Sequence, residues 1–147
     1  MPRADRRRSL LVAGMIGVPV MAALDTIVFH QLLRWHHFYD SSTQDVGLLS
    51  DGLLQATYLG LLVAGFLYLA ALQRRHVVAH GPAWAGFVLG LGAFQLFDGL
   101  VNHKVLRVHQ IRYGVDDLLP YDLTWNLFGV FLLVLGALLA RRARGGG

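Results

Sequence analysis

Four long apolar runs, separated by short polar segments, constrain the fold of this chain more than any other feature. They cover residues 9–33, 51–72, 84–106 and 123–140. Each run holds roughly 18 to 25 residues, and a helix of that length crosses a hydrocarbon core about 30 Å thick. With 55% apolar and 15% charged residues, the 147-residue chain is too apolar for an ordinary soluble domain. The sequence therefore predicts one all-α membrane domain, residues 1–147, with four transmembrane helices.

The distribution of basic residues predicts the orientation of these helices. The N-terminus, the loop after the second run and the C-terminus are rich in arginine and poor in acids, whereas the other two loops mix both signs of charge. The positive-inside rule then places both termini in the cytoplasm, and we expect a protein of the bacterial cytoplasmic (inner) membrane, N-in and C-in. Because the net charge of +4 is concentrated at helix ends, nucleic acid is not an expected partner.

One polar stretch of the chain occurs twice, 73 residues apart. Each copy has an acid, a histidine five residues later, an arginine and a second histidine: Asp25, His30, Arg34 and His36, then Asp98, His103, Arg107 and His109. The second and fourth runs also correspond, because each opens with an acid followed by a carboxamide: Asp51 and Gln55, then Asp122 and Asn126. The chain is thus predicted to form two tandem helical hairpins related by a pseudo-twofold axis along the membrane normal. A cleavable signal peptide in the first run is disfavoured, since the second copy keeps the same residues on an internal helix.

These matched residues are predicted to lie at one depth, near the outer surface. Asp25 lies about 22 Å and His30 about 30 Å along the first helix, and the second copy gives similar values. An acid inside hydrocarbon costs a few kcal/mol, so it normally has a partner or a function. Asp51 and Asp122 are candidate helix caps at the same level. Small residues predict close helix packing: Ala13, Gly17, Gly60, Ala64, Gly86, Gly90 and Gly92.

A metal site is the functional hypothesis for this polar layer, because imidazole and carboxylate bind zinc, copper and iron. The candidate ligands are the histidines and acids of both copies and one more loop histidine: His30, His36, His37, His103, His109, Asp25 and Asp98. The polar residues expected around them are Asp51, Gln55, Asp122, Asn126, Arg34 and Arg107. Five residues turn an α-helix by about 140°, so Asp25 and His30 are not expected to reach one ion from a straight helix. The site must be built across helices, with copper or zinc favoured and iron a further candidate.

Three alternatives use the same residues. His30 and His103 are a candidate pair of axial ligands for b-type haem between facing helices. Asp25 and Asp98 are candidates for a proton or ion pathway, although few polar residues occupy the inner half of any helix. The cluster could also stabilise the bundle without any metal. No open coordination position or substrate route is visible, so a binding protein is favoured over an enzyme such as a small metal-dependent membrane oxidase.

Two segments of this polar layer resemble a known family: residues 29–37 (FHQLLRWHH), and residues 99–103 with 106–109 (GLVNH and LRVH). Over nearly its whole length the chain is similar to small bacterial four-helix membrane proteins catalogued as a domain of unknown function. Members are often encoded near cytochrome c oxidase assembly proteins, which implies copper handling at the outer face and such proteins as partners. The lipid bilayer, and further copies of the chain in a homo-oligomer, are the other expected partners. The family often has histidine at three positions that differ here: Gln55, Lys104 and Gln110. The resemblance therefore leaves the number of bound ions open.

Overall fold

Long helices make up the whole fold, and the computed structural model describes residues 2–145. The elements in chain order are α1 (Arg3–Asp25), a first π-helical segment (Thr26–Leu32), α2 (Gln44–Arg74), α3 (His80–Phe97), a second π-helical segment (Asp98–Val105) and α4 (Leu119–Gly145). The described residues contain no strand, and four helices, counting each π segment with the helix before it, are long and apolar enough to cross a membrane. The prediction of an all-α chain with four such helices is confirmed. The two ends of the predicted domain, Met1 and residues 146–147, lie outside the described residues.

Each helix begins before the first residue that hydropathy predicts. Helix α2 begins at Gln44, where the Thr43 side chain accepts a hydrogen bond from Val46 N at 3.4 Å. The prediction that Asp51 and Asp122 cap their helices is therefore wrong, because both residues lie inside helical segments. Hydropathy marks only the apolar residues, whereas the backbone hydrogen bonds of these helices continue into the polar flanks.

Glycines bring α1 and α3 into the closest helix contact of the fold. A Cβ atom at Gly86 would overlap the carbonyl oxygen of Leu10, and one at Gly17 would overlap that of Phe87. Such contacts require glycine because the obstructing atoms belong to the backbone. The prediction of close packing is confirmed at these two positions, but Gly60 has no atom within 4 Å of its Cβ position, so its predicted packing role is wrong.

The outer helices pack on this central pair. Helix α2 lies against α1, where Gly65 accommodates the Ile16 side chain, and α4 lies against α3, where Gly136 accommodates Leu89. A small apolar core joins three of the helices through Met21, Ala22, Phe94 and Leu132. The fold thus has a tight centre, and it leaves large parts of α2 and α4 unpacked.

The unpacked helix faces carry large apolar side chains. Leu53, Leu59 and Leu67 of α2 are 63%, 62% and 66% exposed, and Leu127 and Phe131 of α4 are exposed to a similar extent. A water-soluble monomer rarely exposes contiguous apolar surface of this kind, whereas lipid-facing helices do so by necessity. These faces are suited to contact with acyl chains.

The two ends of the bundle differ in chemistry. At the end that holds both described termini, four arginines line a cavity of about 840 Å³: Arg3, Arg6, Arg7 and Arg144. We call this the arginine end. The opposite end holds the π segments and the loops of residues 33–43 and 106–118, and we call it the histidine end. The polar residues of the duplicated stretch lie at the histidine end.

Arg34 and Arg107 follow the π segments with a left-handed backbone, each with φ of 52°. That conformation costs an L-residue roughly 1–2 kcal/mol. Arg34→Gly is therefore expected to raise the free energy of unfolding, by up to about 1 kcal/mol once the larger backbone entropy of glycine is subtracted. Arg74→Gly, in the last turn of α2, should lower it. Thermal unfolding in detergent measures both, and a loss of stability in Arg34→Gly would contradict the prediction.

Candidate metal centre

The π-helical segments align each acid of the duplicated stretch with the histidine five residues later. The expectation that Asp25 and His30 point apart is wrong, because it assumed α-helical geometry throughout. In a π-helix the hydrogen bonds join residues five apart, so residues i and i+5 stack as i and i+4 do in an α-helix. Asp25 Oδ2 lies 3.6 Å from His30 Nε2, and Asp98 Oδ2 lies 3.0 Å from His103 Nε2. A single span therefore supplies two neighbouring donor groups.

Both π segments end in the same way. Leu33 N donates to Val28 O at 2.8 Å, and Leu106 N donates to Val101 O at 2.7 Å. Each segment then stops at its left-handed arginine, and the chain turns back over the histidine end. The turn carries the next histidine of each copy toward the space between the helices.

The loop histidines His36 and His109 are each held by a backbone carbonyl of the opposite loop. His36 Nδ1 donates to Ile111 O at 2.8 Å, and His109 Nδ1 donates to Phe38 O at 2.9 Å. Because a carbonyl oxygen can only accept, both Nδ1 atoms carry the proton, and in each neutral ring Nε2 keeps its lone pair. His36 Nε2 has no hydrogen-bond partner, and His109 Nε2 accepts from His103 Nε2. The two rings stack with centroids 4.5 Å apart and planes 11° apart.

Burial keeps these two loop histidines neutral. It lowers the pKa of His36 to about 2, with further lowering from His30, and it lowers the pKa of His109 to about 4. Both side chains are at least 96% buried. At neutral pH the Nε2 lone pairs are therefore available to bind a metal ion, which accepts only unprotonated imidazole.

Asp51 holds the other side of the cluster through three hydrogen bonds. Its carboxylate accepts from His30 Nδ1, His37 Nδ1 and Phe38 N, each at 2.7 Å. Since Nδ1 of His30 donates to Asp51, its Nε2 lone pair faces Asp25. His37 is tied to the cluster through Asp51, and its side chain remains 21% exposed. Asp51 thus orients one buried histidine and anchors a more accessible one.

The second copy forms a compact group around Asp98. His103 Nε2 lies 3.0 Å from His109 Nε2, and Asp98 Oδ1 lies 3.9 Å from the same His109 atom. Asn102 Nδ2 donates to Asp98 Oδ1 at 2.8 Å and fixes the carboxylate. Asp98 Oδ2 has no hydrogen-bond partner, although it lies 3.0 Å from His103 Nε2. Within this group the two histidines share one hydrogen bond, and Asp98 Oδ2 and His103 Nδ1 remain without a partner.

Six buried side chains form what we call the histidine–aspartate cluster: Asp25, His30, His36, Asp98, His103 and His109. Two sets within it have donor atoms that all lie within 4.8 Å of one another, His30 with His36 and His109, and Asp98 with His103 and His109. Buried polar atoms normally have hydrogen-bond partners, but five in this cluster have none: Asp25 Oδ1, His30 Nε2, His36 Nε2, Asp98 Oδ2 and His103 Nδ1. Such groups of histidine and aspartate could hold a metal ion.

Five residues expected around the cluster have other surroundings. Gln55 is half-buried and lines a lateral cleft between α1 and α2. Arg34 and Arg107 are exposed. Asp122 pairs with Lys104 Nζ at 2.5 Å, and Asn126 donates to the Asp122 carbonyl at 2.8 Å. Of the six supporting residues, Asp51 alone hydrogen-bonds to histidines of the polar layer in the described part of the chain.

Sequence reasoning missed the backbone acceptors Phe38 O and Ile111 O. Each follows its own loop histidine by two positions, and each accepts from the histidine of the other loop. A backbone carbonyl leaves no mark in the choice of side chain, so only the 73-residue match between Phe38 and Ile111 could have suggested them. Asn102, which fixes Asp98, was also missed, because the first copy has Phe29 at its position.

Comparison with known proteins gives a family for the chain. No curated protein and no solved structure matches it. A family of predicted membrane proteins, DUF2243, matches residues 12–143, which include all four apolar helices and the whole cluster. The resemblance noted in the sequence is thereby confirmed, and the chain belongs to this family of membrane proteins of unknown function.

Proposed function

We propose that the histidine–aspartate cluster binds a transition metal ion at the outer face of the bacterial cytoplasmic membrane. One observation carries the proposal. Three of its histidines donate Nδ1–H to a fixed acceptor, namely Asp51, Ile111 O or Phe38 O, and so direct Nε2 into the cluster. Two of these Nε2 atoms, in His30 and His36, have no hydrogen-bond partner. Metal-binding histidines almost always have such a partner on the second ring nitrogen, which fixes the tautomer and the ring orientation.

Charge supports the proposed orientation. The arginine end holds four arginines around one cavity, whereas the loops at the histidine end carry acids as well as bases. By the positive-inside rule the arginine end faces the cytoplasm and the cluster faces outward. An ion arriving from outside would meet the partly exposed His37 next to Asp51 before the buried donors.

Reciprocal contacts support a pseudo-twofold relation between the two hairpins. His36 of the first half donates to Ile111 O of the second half, and His109 of the second half donates to Phe38 O of the first half. The two hydrogen bonds therefore join equivalent positions. Asp40 N donates to Val108 O and Tyr113 N to Trp35 O, each at 3.4 Å, in the same reciprocal way. A duplicated hairpin whose copies cross-brace each other would give this pattern, with the cluster on its axis.

The donor types favour copper or zinc, with iron as a further candidate. Cupric and zinc ions bind imidazole and carboxylate, whereas cuprous ions prefer sulfur. The chain has no cysteine, and Met21, the methionine one turn below Asp25, packs in the apolar core with Phe94 and is not part of the cluster. The family resemblance suggests copper handling during assembly of a respiratory oxidase, with oxidase assembly proteins as partners.

The ring packing favours bare ions over haem. His30 and His36 have centroids 4.4 Å apart, and His103 and His109 have centroids 4.6 Å apart. A porphyrin between His30 and His103 would have to displace both loop histidines. A Soret band in the purified protein would reverse this ranking.

The apolar core disfavours a proton or ion pathway. Met21, Ala22, Phe94 and Leu132 pack together one to two turns below Asp25 and Asp98 on the way to the arginine end. None of these four side chains can relay a proton. Binding and transfer of a metal ion at the outer face is therefore the function that we propose, ahead of an enzyme or a transporter.

Metal content tests the proposal. Protein purified without chelator and equilibrated with Zn(II) or Cu(II) should retain metal after desalting, and a His30→Ala/His103→Ala variant should bind at least about 100-fold more weakly, because it loses two direct ligands. The matched control is His76→Ala/His80→Ala, which removes two exposed histidines outside the cluster. Elemental analysis measures the content. Equal or negligible metal in all three proteins would favour a purely structural cluster.

A further inference from the structure

We infer that the histidine–aspartate cluster is a two-metal site, with one ion held by Asp25, His30 and His36 and the other by Asp98, His103 and His109. The inference rests on the proposed metal binding and goes beyond it in the number of ions and in the division of ligands. Each ion would be held by one half of the chain.

The number of donors is the first reason. Six buried side chains converge, whereas a four-coordinate ion of the zinc or copper type takes at most four protein ligands and commonly takes three. With a single ion, at least two of the six side chains would lie outside its coordination. Polar groups at that depth are costly unless they are paired.

The position of His109 is the second reason. It belongs to both sets of donors that lie within 4.8 Å of one another. Its Nδ1 donates to Phe38 O, so only the Nε2 lone pair can bind an ion, and one lone pair serves one ion. The distances assign it to the second copy, since His103 Nε2 lies 3.0 Å from His109 Nε2 and Asp98 Oδ1 lies 3.9 Å from it.

The first copy supplies the remaining donors. His30 and His36 remain, with ring centroids 4.4 Å apart and with both Nε2 atoms unpartnered. Asp25 Oδ2 lies 3.6 Å from His30 Nε2, and Asp25 Oδ1 has no partner. One carboxylate and two imidazoles are thus available in each half, at the same sequence spacing.

The two sets are close enough to form a pair. The rings of His36 and His109, one from each set, stack at 4.5 Å. Because these two ligand rings are in contact, ions bound to them would be neighbours, as in two-metal sites, where the ions lie about 3.5–4 Å apart. Each set would leave at least one coordination position for water or a shared ligand.

Stoichiometry and magnetic coupling test the inference in the full-length protein. Titration with Cu(II) should saturate at two ions per chain, and the electron paramagnetic resonance spectrum should show the dipolar coupling of a close pair. Asp25→Asn/His30→Gln and Asp98→Asn/His103→Gln should each bind one ion and give an uncoupled spectrum. Combining the four changes should abolish binding, and circular dichroism checks that the variants stay helical.

The outcomes separate this inference from the proposed function. Saturation of the wild-type protein at one ion, without coupling, would overturn the two-metal site and leave the proposed metal binding intact. Two ions in the wild type with none in either half-variant would overturn the division by halves. A wild-type protein that binds no metal would overturn both, and none of these readouts on the wild type depends on a variant folding.

Discussion

Replacing Gly86 with alanine is expected to be among the most damaging single changes outside the cluster. The added Cβ would overlap the carbonyl oxygen of Leu10, and that oxygen cannot move without displacing the backbone of α1. Overpacking a well-packed contact costs about 1–3 kcal/mol, and we expect roughly 3 kcal/mol or more here because the obstruction is backbone. That is a large fraction of a typical stability of about 5–15 kcal/mol. Unfolding of the detergent-solubilised protein by heat or by denaturing detergent measures the loss.

The control for Gly86 is another glycine of the same fold. Gly60→Ala places its Cβ where no atom lies within 4 Å, so it should leave stability unchanged or slightly higher, given the better helix propensity of alanine. Similar midpoints for the two variants would show that α1 and α3 are not held by direct backbone contact. A broadened or aggregated size-exclusion profile for Gly86→Ala alone would agree with the expected failure of helix packing.

The membrane-spanning architecture was predictable because it follows from local composition. A run such as residues 123–140 contains enough apolar side chains to cross the hydrocarbon core, whatever it packs against. The grouping of His30 with His103 at one end was predictable for a similar reason. Once the spans are placed, depth along each helix follows from the rise per residue.

The way Asp25 and His30 meet was not predictable from the same rules. Sequence spacing was converted to an angle by assuming an α-helix, and residues 26–32 contain no proline or glycine to mark a change in the helix. π-helical turns occur frequently at functional sites, since they reorient side chains that an α-helix would separate. The available signal for a π-helical turn was the repeated spacing of five between an acid and a histidine. In an α-helix that spacing would point the two side chains apart, whereas in a π-helix it brings them together.

The loop contacts were hidden for a different reason. His36 and His109 are fixed by carbonyl oxygens of residues 75 and 71 positions away in the chain, and a carbonyl is present whatever the side chain. Asp51 was interpreted as a cap because it follows Ser50 at the edge of an apolar run. The actual cap, Thr43, lies two turns earlier, and this shift places Asp51 against the histidines.

Asp51→Ala is expected to weaken metal binding by about 10–100-fold, the range found when an outer partner of a metal-binding histidine is removed. The change leaves all six donors of the cluster in place. It removes the acceptor for His30 Nδ1, so the ring loses both its fixed orientation and its fixed tautomer. Competition against a chelator of known affinity measures the dissociation constant. Asp51→Asn should have a smaller effect, because one oxygen remains.

Asp122→Ala is the matched control for Asp51→Ala. It removes the carboxylate at the corresponding position of α4, but that carboxylate pairs with the partly exposed Lys104 and not with a histidine. Its metal affinity should therefore stay within a few-fold of the wild type. Asp51→Ala also leaves His37 Nδ1 and Phe38 N without their acceptor, so it could weaken the fold itself. The unfolding midpoint of each variant, measured without metal, distinguishes a weakened fold from weaker metal binding. Equal affinities for the two variants would mean that Asp51 does not position His30 for a metal ion, whereas a selective loss in Asp51→Ala would show that an acid outside the ligand set controls the affinity of the site.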